Sequence, residues 1–125
     1  MTKYIDLESI KEIRKMLGLD SLIISKGTLS YILDSIKDLY NNLDLNESYA
    51  SKASYFLYRI TKDHPFSDGN KRTAFAVADT FLRINGYYID IESHTSVEFI
   101  VKVAECKKEE SEVKEWIKNH MKHKV

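Results

Sequence analysis

The sequence contains little that would cross-link or interrupt the chain: one cysteine, one proline and four glycines in 125 residues. The single cysteine, Cys106, cannot form an internal disulfide, which fits a reducing compartment. Scarce glycine and proline favour long helices, and no repeat, low-complexity tract or linker divides the sequence. The length suits one compact domain, so we expect a single domain over residues 1–125.

The sequence also has no excess of either charge, because 19 basic residues balance 19 acidic ones. Because the protein has no net charge, it has no overall electrostatic attraction for polyanions, and direct binding to nucleic acid or to an anionic membrane is not expected. No stretch approaches the roughly 18 apolar residues of a membrane span, and the first residues lack the apolar run of a secretory signal. These absences lead us to expect a cytoplasmic protein.

Apolar residues at helical spacing predict about six helices. The first covers about residues 7–17, between an N-cap at Asp6 and a left-handed glycine at Gly18. The second is expected from Thr28 to near Asn41–Asn42, and the third runs through Tyr49 to a stop before Pro65. The fourth contains Ala74 and ends at a C-cap at Asn85–Gly86. The fifth follows the capping-box pair Thr95 and Glu98, and the sixth runs from Ser111 through Met121. The helix that contains Ala74 is apolar nearly all round, which predicts a central position.

Two short segments do not follow the helical period. Residues 19–27 contain three consecutive apolar residues and end at Gly27, which indicates a short extended segment or flap. Residues 87–91 form a second extended piece, too isolated to promise a sheet. The expected fold is therefore all-α, a single-domain helical bundle with at most a short extended flap or hairpin.

The densest group of polar residues is the loop between the third and fourth predicted helices, residues 63–74. Gly69 and Asn70 lie between a carboxylate and the buried helix, so the amides near them should be the unpaired donors of a helix N-terminus. Lys71 and Arg72 add two cations where the helix dipole prefers acids. This departure from the usual charge pattern predicts a site for an anionic phosphate ligand.

Three further side chains complete the predicted site. Asp68 would repel a bare anion, but it fits a magnesium ion that bridges it to phosphate oxygens. His64, in non-helical backbone before Pro65, suits a base that accepts a proton from an attacking hydroxyl. Phe66 is expected to point inward and to anchor the loop to the core.

Each of these polar residues also has a simpler interpretation when taken alone. His64 would be a surface or hydrogen-bonded histidine, and Asp68 would be a helix N-cap. Asn70 would be a turn or cap residue, and Lys71 and Arg72 would be a solvated pair of cations. Their order in one string favours a functional site. The other histidines have no carboxylate or cysteine at metal-ligand spacing, so a zinc site is not expected at His94, His120 or His123.

The string from His64 to Ala74 closely resembles the signature of the Fic/Doc superfamily, and specifically its Doc (death-on-curing) branch. The resemblance implies a Fic/Doc-like helical bundle that uses ATP and Mg²⁺. It further implies that His64 is the catalytic base and that Asp68 is the metal ligand. Gly69, Asn70, Lys71 and Arg72 would form the phosphate cradle, and Asp68 and Arg72 would also act in catalysis.

Two positions favour the Doc branch over the Fic enzymes that transfer AMP. Those enzymes usually carry a second glycine and a second arginine, where this sequence has Lys71 and Phe75. The resemblance therefore implies a toxin of the protein kinase type, which moves the γ-phosphate of ATP to a Ser/Thr hydroxyl, by resemblance on elongation factor Tu. The Fic inhibitory motif has no match, since the nearest spacing, Ser111 to Glu115, is followed by Trp116, so a partner antitoxin is expected. Transfer of AMP, or a non-catalytic regulatory role on the same scaffold, are the alternatives.

Overall fold

The computed structural model describes residues 1–20, 22–90, 93–104 and 108–124. These residues form six α-helices and a two-stranded antiparallel sheet: α1 (Leu7–Met16), α2 (Lys26–Ser35), α3 (Leu45–Asp63), α4 (Asn70–Ile84), β1 (Tyr87–Ile89), α5 (Ser93–Ala104), α6 (Glu110–His120) and β2 (Met121–His123). The expected all-α bundle with one short hairpin is confirmed. No helix among the described residues is both long enough and apolar enough to cross a membrane.

The two longest helices, α3 and α4, form the centre of the bundle and pack against each other. Phe56 on α3 and Phe81 on α4 are fully buried, with ring centroids 5.5 Å apart. Tyr49 meets the same Phe81 ring edge-on at 6.2 Å. Each such aromatic ring removes apolar surface from water and stabilises the fold by about 2 kcal/mol. The central position predicted for α4 is confirmed, because α1, α3, α5 and β1 all contact it.

The first helix begins and ends as its sequence predicts. The Asp6 carboxylate accepts a hydrogen bond from the Ser9 N–H at 2.8 Å, which satisfies one free donor of the first turn. Gly18 follows the helix with φ +76°, in the left-handed region that glycine adopts without a steric cost. The polypeptide therefore leaves α1 in a turn that leads directly toward the loop after α3.

The second helix differs from the prediction at both ends. It begins at Lys26, so Gly27 lies within its first turn and does not close the preceding segment. It becomes a 3-10 turn over Ile36–Asp38 and does not continue to Asn41–Asn42. The reason is tertiary: Tyr40 has φ +61°, outside helical geometry, and its hydroxyl donates to Glu110 at 2.6 Å.

The hairpin corrects two further predictions. The extended piece after Gly86 does have a partner, because Tyr87 pairs with His123 and Ile89 pairs with Met121. Met121 therefore belongs to β2, and its assignment to the last helix was wrong. That helix begins at Glu110, one residue before the predicted Ser111. The fifth helix begins at Ser93, so Thr95 lies inside α5 and its prediction as the N-cap was wrong. Cys106 and Ile91 lie outside the residues described.

Candidate functional site

The predicted flap and the polar loop lie against each other. Ile23 forms an isolated antiparallel bridge with Phe66. The N–H groups of Ile24 and Ser25 both donate to the Pro65 carbonyl, at 2.8 and 3.1 Å. Ile24 and Ser25 therefore satisfy the Pro65 carbonyl, and residues 22–25 hold one side of the candidate site.

His64 ends α3 in the left-handed conformation, with φ +48° and ψ +60°. Its N–H still donates to the Ile60 carbonyl at 3.2 Å, so the residue is tied to the helix by its backbone. Pro65 prevents the helix from continuing. The imidazole is exposed and makes no hydrogen bond to any residue that the structure describes. No described residue therefore occupies its ring nitrogens.

Asn70 closes the loop with its side chain. Its Oδ1 accepts from the Phe66 N–H at 3.0 Å, and its Nδ2 donates to the Phe66 carbonyl at 2.9 Å. Asn70 is 9% exposed and Phe66 is 2% exposed, so both bonds are shielded from water. The side-chain groups of Asn70 are thus used inside the loop. Its predicted role in the phosphate cradle rests on its backbone N–H.

Gly69 allows the tight approach of the loop to the segment after α1. It has φ +65°, and a Cβ atom at this position would lie 2.5 Å from Cδ1 of Leu19. Gly69 is also the N-cap residue of α4, and no side chain caps this helix. The simpler interpretation of Asp68 as a helix cap is therefore wrong.

The start of α4 presents the free amides that the sequence predicts. The first backbone bond of the helix runs from the Thr73 N–H to the Gly69 carbonyl, at 2.9 Å. The amides of residues 70–72 precede that bond, and a helix offers them no carbonyl. Such a helix N-terminus attracts anions.

The two cations of the first turn are both exposed but are not equivalent. Arg72 donates from Nη2 to the Leu17 carbonyl at 2.7 Å, and so links α4 to the end of α1. Lys71 makes no ion pair within the described part of the chain. Both residues border an apolar groove of about 380 Å³, whose other lining residues are Leu17, Phe75, Ala76, Ile100 and Val101.

Arg14 is the site residue that sequence reasoning missed. It is fully buried on α1, and its guanidinium lies 4.0 Å above the Phe66 ring. Its Nη1 donates to the Asp68 carbonyl at 3.1 Å, and its Nη2 lies 3.5 Å from the Asp68 carboxylate. The signal in the sequence was a cation on the apolar face of α1, seven residues after Leu7 and four after Ile10.

Asp68 is the residue of the loop that suits a metal ion. Its side chain is 68% exposed, and its contact with Arg14 uses Oδ1, which leaves Oδ2 as a ligand atom. The described residues contain no group of three or more His, Cys, Asp or Glu side chains that would hold a metal alone. Mg²⁺ fits this arrangement, because in nucleotide sites it usually takes one or two carboxylates and completes its shell with phosphate and water oxygens.

The fold and the loop define a class of protein, a helical bundle in which an exposed histidine and an uncapped helix start lie in the loop between the two central helices. The Fic/DOC family model matches residues 4–82, from before α1 to near the end of α4. Toxin Doc from Mycolicibacterium smegmatis (strain ATCC 700084 / mc(2)155) is 32% identical over 87 residues, which cover 69% of this chain and 67% of the relative. The chain belongs to the Fic/Doc family, and its similarity to Toxin Doc confirms the predicted Doc branch.

Proposed function

We propose that this protein is a Doc-type phosphotransferase that moves the γ-phosphate of ATP to a Ser/Thr hydroxyl of a target protein. Membership of the Fic/Doc family supports a transferase-type enzyme. The observation that carries the proposal is the loop between α3 and α4, which Asn70 closes. This loop contains both an exposed imidazole and a helix start rich in N–H donors and cations.

His64 is the general base of the proposed reaction. It accepts the proton of the attacking hydroxyl, whose oxygen forms the new bond to the γ-phosphorus. The bond from that phosphorus to the β–γ bridging oxygen breaks, and ADP leaves with the electron pair. The imidazole suits this role because it is exposed and held at the loop by its backbone.

The first turn of α4 is the proposed phosphate cradle. The amides of residues 70–72, Lys71 and Arg72 supply positive charge to phosphate oxygens, and Arg72 opposes the charge that develops during transfer. Phosphoryl transfer depends mainly on such positioning and charge stabilisation. Mg²⁺, held by Asp68 when bound, supplies further charge neutralisation of the phosphates.

The kinase assignment rests on two side chains. Phe75 is partly buried against the core and has no charge to offer at the place where AMP-transferring relatives carry an arginine. Lys71 is an exposed cation at the place of their second glycine. These differences support transfer of the γ-phosphate. Transfer of AMP is the alternative reaction, and a non-catalytic regulatory role is the alternative of another class.

The biological role is proposed from the name of the relative, Toxin Doc. We infer a cytoplasmic toxin that inhibits translation by modifying elongation factor Tu and that a separate antitoxin neutralises. The lack of a Fic inhibitory motif supports a separate polypeptide, because Trp116 stands where that motif needs glycine or asparagine.

Labelled ATP tests the reaction. The protein is incubated with purified elongation factor Tu, or with a cell lysate, and with ATP labelled at either the γ or the α position. The proposal expects protein-bound label from the γ position alone, and none with His64→Ala, whose folding is checked by circular dichroism. Label from the α position would establish AMP transfer. No label from either position, in both elongation factor Tu and lysate, would support the non-catalytic alternative.

A further inference from the structure

Arg14 makes more contacts across the candidate site than any other side chain of α1 for which contacts are described. Its Nε donates to the Asp20 carbonyl at 2.8 Å, and its Nη1 donates to Thr73 Oγ1 at 2.9 Å and to the Asp68 carbonyl at 3.1 Å. One guanidinium thus joins the turn after α1, the loop after α3 and the first turn of α4.

The charge of Arg14 is shared between two carboxylates. Its Nη2 lies 3.5 Å from Asp68 Oδ1 and 3.6 Å from Asp20 Oδ1, yet it makes no hydrogen bond of good geometry to any residue that the structure describes. Arg14 is fully buried, while the side chains of Asp20 and Asp68 are 63% and 68% exposed. The cation is therefore enclosed by protein, whereas the two carboxylates are open to solvent and to a bound ion.

Stability of the bundle does not by itself require a cation at this position. Burial of a guanidinium carries a desolvation penalty, and buried ion pairs can often be replaced by apolar side chains without loss of stability. Two of the three described hydrogen-bond acceptors of Arg14 belong to the loop and the first turn of α4, at Asp68 and Thr73. The arrangement acts on the position of the loop.

We propose that Arg14 is a positioning residue of the phosphotransfer site, which fixes the backbone at Asp68 and divides its charge between Asp68 and Asp20. This inference rests on the proposed function. A metal ion on Asp68 Oδ2 and Arg14 at Oδ1 would share the charge of that one carboxylate. Asp20 is then the counter-ion that satisfies Arg14 and leaves Asp68 available to the metal.

Direct binding of Mn²⁺, used in place of Mg²⁺, tests this division of charge without turnover. Electron paramagnetic resonance measures the free Mn²⁺ in the presence of a non-hydrolysable ATP analogue. Asp20→Asn should raise the half-saturating Mn²⁺ concentration by about two- to fivefold, the range that one exposed ion pair supports. Glu12→Gln removes the same charge from an exposed position on α1 and should leave that concentration unchanged.

A double-mutant cycle separates an effect through Arg14 from simple attraction between Asp20 and the metal. In an Arg14→Gln background, Asp20→Asn should no longer change Mn²⁺ binding. Persistence of the full effect there, no effect of Asp20→Asn in the native background, or an equal effect of Glu12→Gln would overturn the proposal. If Arg14→Gln does not fold, Arg14→Met, an apolar side chain of similar length, takes its place in the cycle.

The same samples distinguish this inference from the proposed function. A native protein that transfers phosphate but shows no Asp20 effect on Mn²⁺ binding overturns the role of Arg14 alone. A native protein that binds neither Mn²⁺ nor the nucleotide analogue overturns both.

Discussion

Asn70 holds Phe66 by two hydrogen bonds, one to its backbone N–H and one to its carbonyl, and so closes the loop between α3 and α4 into a ring. The ring carries Asp68 and Gly69 at its tip, while Phe66 anchors it in the core. The candidate site is therefore positioned by contacts of the loop with itself as much as by the helices around it.

Replacement of Asn70 by Ala should destabilise the protein and impair transfer. The substitution leaves the buried N–H and carbonyl of Phe66 without partners, at a cost of about 2 to 4 kcal/mol in the free energy of unfolding. Urea denaturation measures this loss. Asn119→Ala, the same change at an exposed position of α6, should alter stability by less than about 0.5 kcal/mol. Equal stabilities of the two variants would contradict the role given to Asn70.

Replacement of Gly69 by Ala should cost more stability than replacement of Gly18 by Ala. Both glycines have positive φ, +65° and +76°, so each alanine meets a backbone penalty of about 1 to 2 kcal/mol. At Gly69 the new Cβ also meets Leu19, whereas nothing lies within 4 Å at Gly18. We expect a difference of about 1 kcal/mol in urea denaturation. Equal losses of stability at the two positions would mean that the Leu19 side chain moves away from the new Cβ atom without a cost in free energy.

Acid should remove the stabilising contribution of Glu47. Hydrogen bonds from Lys118 and Lys114 lower the pKa of this carboxyl below its usual 4.5, and the ion pairs join α3 to α6. Because the folded-state pKa is the lower one, the contribution is present above about pH 4.5 and is lost as the pH falls through the folded-state value.

The comparison of the native protein with Glu47→Gln tests the predicted direction of this pH dependence. The urea midpoint of the native protein should exceed that of the variant at pH 7, and the difference should shrink at pH 3. Glu12→Gln, at an exposed position of α1, should show little difference at either pH. A Glu47→Gln difference that stays constant between the two pH values would exclude the ion pairs as its cause.

Lys71 and Phe75 should control which phosphate is transferred. Lys71→Gly combined with Phe75→Arg installs the pair found in AMP-transferring relatives, and it should lower transfer of γ-label by about tenfold or more while α-label appears. Lys71→Ala with Phe75→Leu removes the native side chains without adding the arginine. It should lower γ-label without α-label. Unchanged γ-transfer in both variants would remove these positions from the account of specificity.

Most helices could be predicted from the sequence because their signals are local. Asp6 and Gly18 bound α1 through contacts within a few residues, and Pro65 stops the backbone from continuing α3. The loop after α3 could be predicted for the same reason, since its residues are consecutive. Their roles in binding and catalysis stay predictions, while their shared position between α3 and α4 is a feature of the structure.

The features that sequence reasoning missed depend on residues far apart in the chain. Arg14 bonds to Asp68 and Thr73, 54 and 59 residues later, and no periodicity reports such a contact. Met121 continues the apolar face of α6, so only its pairing with Ile89 shows that it belongs to a strand. Tyr40 likewise continues the helical pattern of α2, but its bond to Glu110 lies outside that pattern.

The mass added to the acceptor protein tests the central claim most directly. Elongation factor Tu, or a labelled acceptor isolated from lysate, is treated with the native protein, ATP and Mg²⁺, digested and examined by mass spectrometry. The account predicts one modified Ser or Thr whose mass rises by a single phosphate, and no modification with His64→Ala. A mass increase equal to AMP on the same type of residue would contradict it.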